Sequence, residues 1–137
     1  MLPPHVDAIR ARYESVTKRN LGAVFHDVHP DFELRTAARV PGAGTYRGAE
    51  AATQFYADLV EPFEEVTYAP QQFFARGDHV VIFLVVRFQP HGSTAIVENQ
   101  VGAFWTMRDG MPARCEMFAK REMALDAAGM TADDEVR

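Results

Sequence analysis

The longest apolar run in this chain, Val80-Val81-Ile82-Phe83-Leu84-Val85-Val86, restricts its fold more than any other feature. Its β-branched content favours a strand, and seven residues fall far short of the ~20 that a membrane-crossing helix needs. A strand with water on one face alternates apolar and polar residues; this one does not, so it belongs at the centre of a sheet covered on both sides. The flanking sequence agrees. Residues 66–74, 94–107 and 113–118 also read as strands, and Arg76-Gly77-Asp78, Pro90-His91-Gly92 and Arg108-Asp109-Gly110 between them are tight-turn sequences. Consecutive strands joined by short turns make an antiparallel meander.

The first half of the chain has a different period. Residues 6–17 place Ile9, Tyr13 and Val16 at helical spacing, and residues 21–28 carry a second stripe of Leu21, Val24, Phe25 and Val28 after Asn20, a suitable N-cap. His29-Pro30 stops that helix. Residues 32–36 alternate as a half-buried strand, 41–44 form a turn, and 49–59 form a third helix with Ala52, Phe55, Tyr56 and Leu59 inward. A last helix over 122–128 closes on Gly129, and the polar residues 133–137 are expected to fray. The order α-α-β-α followed by four strands predicts one α+β domain spanning residues 1–137. Three helices that precede the meander can cover only one of its faces. The face of Val81, Phe83, Val85 and Phe104 is therefore expected to pack on a second copy in a homodimer.

Charge and spacing exclude several partner classes. A formal net charge of -5 and a pI near 5.5, with Lys18 and Lys120 the only lysines, argue against nucleic acid. No membrane association is expected either, and a start without a basic, then apolar, leader makes a cytoplasmic location the default. The single Cys115 allows no intrachain disulfide and reads as a small buried hydrophobe. No metal-ligand spacing, Walker loop, dinucleotide fingerprint or nucleophile elbow occurs, so neither metal nor cofactor is expected.

Several strings, in order along the chain, resemble the SnoaL-like branch of the nuclear transport factor 2-like superfamily, which includes polyketide cyclases and ketosteroid isomerases. They are His29-Pro30-Asp31-Phe32-Glu33-Leu34-Arg35, Gly44-Thr45-Tyr46-Arg47-Gly48, Phe104-Trp105-Thr106-Met107-Arg108-Asp109-Gly110, and residues 121–129. The resemblance implies a curved antiparallel sheet wrapped around a helix layer as an open cone. It also implies a pocket for a mainly apolar small molecule, served either by a cofactor-independent isomerase, cyclase, dehydratase or hydrolase or by a binding protein without chemistry.

Ketosteroid isomerases use a carboxylate base with an oxyanion hole of a tyrosine and a protonated aspartic acid. Carried over residue by residue, the resemblance matches the tyrosine to Tyr13, the base to the neighbourhood of Thr36, and the acid to the neighbourhood of Ala103. Threonine cannot abstract a carbon-bound proton at neutral pH, so that mechanism is not expected. The site residues expected from the sequence are Tyr13 and Asn99 for chemistry, with Thr36, Phe55, Tyr56 and Trp105 as pocket wall. Asn99 shares a strand face with Val97, Val101, Ala103 and Trp105, where a buried amide would need a partner. The pairs Glu33/Arg35 and Arg114/Glu116, two apart on their strands, read as ion pairs or half-solvated faces, with a general acid at Glu116 as the alternative if it is buried.

Overall fold

The computed structural model describes residues 1–37 and 42–137; Pro41 of the expected turn lies outside them. The elements are α1 (Pro4–Thr17), α2 (Leu21–Val24), β1 (Glu33–Thr36), β2 (Gly44–Arg47), α3 (Ala49–Val60), β3 (Phe63–Arg76), β4 (His79–Pro90), β5 (Val97–Arg108), β6 (Met111–Phe118), α4 (Arg121–Ala128) and β7 (Glu135–Val136). All strands join one curved, unclosed sheet in the order β2-β1-β6-β5-β4-β3-β7. The meander β3 to β6 is antiparallel, as its short turns require. The turn before β6 places Asp109 and Gly110 both at positive φ, 54° and 76°, the conformation that a two-residue hairpin matched to strand twist demands. β1 pairs in parallel with β6, Glu33 beside Arg114 and Thr36 beside Met117, and so ties the N-terminal half to the last long strand.

Strand β4 is covered on both sides, as its sequence requires. On the inner face Val80, Ile82, Leu84 and Val86 pack with Ile9, Tyr13 and Val16 of α1 and Phe55 and Tyr56 of α3. On the outer face Val81, Phe83 and Phe104 pack with Phe74, Ala124 and Met130. The outer cover thus comes from α4 of the same chain. Of the four residues on which the expectation of a homodimer rested, Val81 is 0% exposed and Phe104 4% within the single chain, Phe83 is also buried, and Val85 is half-buried. The short α4 hides a large patch because Gly102 of β5 lets its backbone approach closely.

Three local expectations need correction. The second helix ends at Val24, because the Arg12 guanidinium donates to the carbonyls of Val24 (2.7 Å) and His26 (2.8 Å) and satisfies its end early. Strand β2 was not expected: it is an edge strand with three of its four residues exposed, so it carries no inward apolar alternation. The tail is not frayed. Thr131 caps a short turn over Ala132–Asp134, Arg76 holds Asp134 at 2.7 Å, and Glu135 and Val136 pair with Phe74 and Phe73. The Arg76 and strand contacts are tertiary and leave no local sequence signature, whereas the Thr131–Asp134 capping box is local.

Among the described residues no helix is long and apolar enough to cross a membrane.

Candidate functional site

The pairing register places the inner-face side chains in rows across the cone. Leu34, Cys115, Trp105 and Val80 form one row; Thr36, Met117, Ala103 and Ile82 form the next. Thr36 and Ala103, the positions matched to the isomerase base and acid, therefore both lie on the inner face, and neither can ionise near neutral pH. β6 stops where Phe118 faces Gly102, so the inner face beyond that point belongs to β3, β4 and β5 alone, with Tyr68, Val86 and Asn99 aligned across it.

Three tyrosines meet inside the cone. Tyr13 lies on the buried stripe Val6, Ile9, Tyr13, Val16 of α1, Tyr56 on the inner face of α3, and Tyr68 on β3, where alternation with Val66 turns it inward. The Tyr13 and Tyr68 rings stack with centroids 6.0 Å apart, and Tyr68 meets Tyr56 edge-on, also at 6.0 Å. Trp105 donates its indole N–H to the Tyr13 hydroxyl at 2.9 Å and packs against the same ring edge-to-face. The Tyr56 hydroxyl donates to the Met117 thioether at 3.3 Å. Among the described residues the Tyr68 hydroxyl makes no hydrogen bond.

Burial fixes the protonation of this cluster. It pushes the Tyr13 and Tyr56 phenols well above the ordinary tyrosine range, with neighbouring Cys115 and Tyr68 adding respectively to that shift, and burial alone raises Tyr68. Cys115 is likewise raised by burial, so it is a neutral thiol and not a nucleophile. Among the described residues the only polar or charged side chain buried with the aromatic cluster is that of Thr36, and no carboxylate or imidazole joins it. The interior offers hydrogen-bond donors and, among the described residues, no ionisable base.

Of the expected site residues, Tyr13, Tyr56 and Trp105 converge in this cluster. Phe55 adjoins it, edge-on to Tyr56 at 5.4 Å, but its other side packs on Tyr46 at 4.8 Å, beneath β2. Thr36 is turned to its own hairpin: its hydroxyl accepts from the Gly44 N–H at 2.9 Å and lies 3.2 Å from the Gly42 carbonyl oxygen. Asn99 was expected to be buried and is exposed, because the end of β6 leaves this half of β5 without a neighbour on one side. Tyr68 and Met117 were missed, although the alternation of β3 and β6 points both inward. A cleft of about 550 Å³ between α2 and α3 reaches Phe25, whose ring packs on Phe32 (5.3 Å) and Tyr56 (5.7 Å), so one side chain separates it from the cluster. The expected ion pairs are present, Arg35 to Glu33 at 3.4 Å and Arg114 to Glu116 at 3.3 Å.

Solved structures with this fold include TerC co-crystallised with polyporic acid, at 25% identity over 91% of this chain and 97% of that one, with a TM-score of 0.74. A hypothetical protein with a ketosteroid isomerase-like fold from Catenulispora acidiphila, in complex with trimethylamine, is 20% identical over 97% and 98% of the two chains, TM-score 0.74. A nuclear transport factor 2-like protein of unknown function from Burkholderia pseudomallei is 17% identical over 91% and 97%, TM-score 0.76. A search of curated proteins found no match. Residues 9–115 match the SnoaL-like domain family, a span holding α1 from Ile9 onward, all of α3, the meander up to Cys115, and the three tyrosines; the chain belongs to that family.

Proposed function

We propose that this protein takes a mainly apolar, oxygen-bearing small molecule into the cone and acts on it without a cofactor, as an isomerase, cyclase, dehydratase or hydrolase, by donating hydrogen bonds to a carbonyl-type oxygen. The observation that carries this reading is the convergence of three protonated tyrosines in an apolar interior. Tyr56 is the best placed donor. A thioether is a weak acceptor, so exchanging Met117 for a ligand oxygen strengthens the bond that Tyr56 makes. Tyr68, with no partner among the described residues, can donate beside it, and preorganised donors act most strongly in a dry site. The co-crystallisation of TerC, which has this fold, with polyporic acid supports a small-molecule ligand.

A second reading, binding without turnover, is favoured by the same interior, because among the described residues no base is buried there to move a carbon-bound proton. The single tryptophan, Trp105, reports on both. An aromatic ketone such as benzophenone should quench its fluorescence saturably, and the matched hydrocarbon diphenylmethane should bind more weakly. Tyr56→Phe should weaken the ketone about three- to tenfold, the worth of one hydrogen bond. Equal binding of ketone and hydrocarbon would sink the donor argument. Mass spectrometry of the incubated ketone and related enones then separates turnover from binding.

A further inference from the structure

Tyr13, Tyr56, Tyr68 and Trp105 are each 5% exposed or less, so a ligand reaches them only when a side chain of the wall moves. The walls differ in how firmly they are built. α1 and α3 run for 14 and 12 residues with their own backbone ladders, and β3 to β6 are bonded to one another. α2 is a single turn of four residues without a side-chain hydrogen bond at its N-cap, and the chain leaves it at Phe25.

Phe25 is where this short wall meets the interior. Its ring is buried against Phe32 and Tyr56, and the 550 Å³ cleft between α2 and α3 lies on its other side. Gly22 borders that cleft, and nothing lies within 4 Å of where its Cβ would be, so the ring has space to swing outward. The backbone on both sides of Phe25 is clamped by one guanidinium. Arg12 Nη1 donates to the carbonyls of Val24 at 2.7 Å and His26 at 2.8 Å, the two residues that flank Phe25. Bonds from a charged donor are the strong kind. Asp27 follows in the left-handed region at φ 61°, so the clamp sits between a helix end and a sharp turn.

We propose that Phe25 is the entry residue of the cone and that Arg12 positions it, holding the ring shut until residues 24–27 release and it swings into the cleft. This rests on the interior ligand site proposed for the chain, and it adds the route. The ring met on passing Phe25 is that of Tyr56, 5.7 Å away, whose hydroxyl is the proposed donor.

The Trp105 indole N–H, the only one in the chain, reports on the opening by hydrogen exchange in NMR with no ligand present. Phe25→Ala and Arg12→Met should each speed its exchange at least about tenfold, at a rate that stays flat in urea below the unfolding transition. Arg12→Lys, which keeps the charge and a donor, should slow it again part of the way. Phe63→Ala, which removes the ring packed on Phe88 at the start of β3, should leave the rate unchanged. In stopped-flow quenching by benzophenone, Arg12→Met should raise association and dissociation by the same factor, since a latch alters passage and not affinity. Unchanged exchange in Phe25→Ala, exchange in Arg12→Met that rises only with urea-driven unfolding, an equal acceleration in Phe63→Ala, or a rise in dissociation alone would each overturn the proposal. If Phe25→Ala does not fold, Arg12→Met decides alone. Failure of benzophenone to bind would overturn the interior site, whereas the exchange rates judge the entry residue by themselves.

Discussion

Gly102→Ala offers a direct test of how the outer face is closed. Gly102 lies on β5 between Phe83 and Phe118, beneath α4. A Cβ there would sit 2.8 Å from the Ala124 Cβ and 3.1 Å from both the Arg121 Cα and its carbonyl oxygen. Carbon atoms settle near 3.5–4.0 Å, so α4 must retreat by about 0.7–1 Å, and two of the three obstructing atoms are backbone that cannot rotate away. Overpacking of this kind costs about 1–3 kcal/mol, while alanine in place of a strand glycine returns about 0.5–1 kcal/mol. The net expectation is a loss of about 0–2.5 kcal/mol in urea denaturation. Adding Ala124→Gly removes the shortest contact, so the double mutant should show a favourable coupling of at least about 0.5 kcal/mol despite the cost of a helical glycine. A stabilising Gly102→Ala, or additive effects in the pair, would refute the view that α4 seals the sheet by backbone approach.

Tyr13→Phe should cost about 1–3 kcal/mol of stability, since it leaves the Trp105 indole N–H buried without its acceptor; an unchanged urea midpoint would contradict that bond. Stability should also fall at alkaline pH. The phenols of Tyr13, Tyr56 and Tyr68 are raised by burial, so above about pH 10 the unfolded chain gives up protons that the native state keeps. Their contribution is complete below that pH and is lost as pH rises toward the native values, at up to about 1.4 kcal/mol per pH unit for each ring, with Cys115 starting the decline near pH 8.5. A flat urea midpoint from pH 8 to 11 would show that the three rings are not buried together.

The parts of this molecule that were legible in the sequence are those where local pattern and tertiary burial ask for the same thing. The unbroken apolar run of β4 required two covered faces and has them. The stripe Ile9, Tyr13, Val16 turned Tyr13 inward, and Gly129 closes α4 at φ 67° as a C-terminal glycine should. What was lost depends on neighbours that sequence period does not carry. Alternation told correctly which face Asn99 occupies, but burial also depends on how far the next strand extends, and β6 stops too early to cover it. Thr36 faces inward as expected, yet the hairpin bond that occupies its hydroxyl is set by Gly44, eight residues on. The outer cover was expected from another copy because only the three helices before the meander were counted as cover, whereas α4, which follows it, packs on that face over Gly102.

The parallel pairing of β1 with β6 also bears on the order in which the molecule assembles. It joins Glu33 to Arg114 across most of the chain, while the meander between them is built from local hairpins. Closing so long a loop is entropically costly until the meander has shortened it, so β1 and β2 can dock only after β6 is in place. Cys115 and Met117, which complete the tyrosine cluster, arrive with that same strand. The interior site is therefore a late product of folding, and a chain halted before β6 would hold its tyrosines without the wall that encloses them.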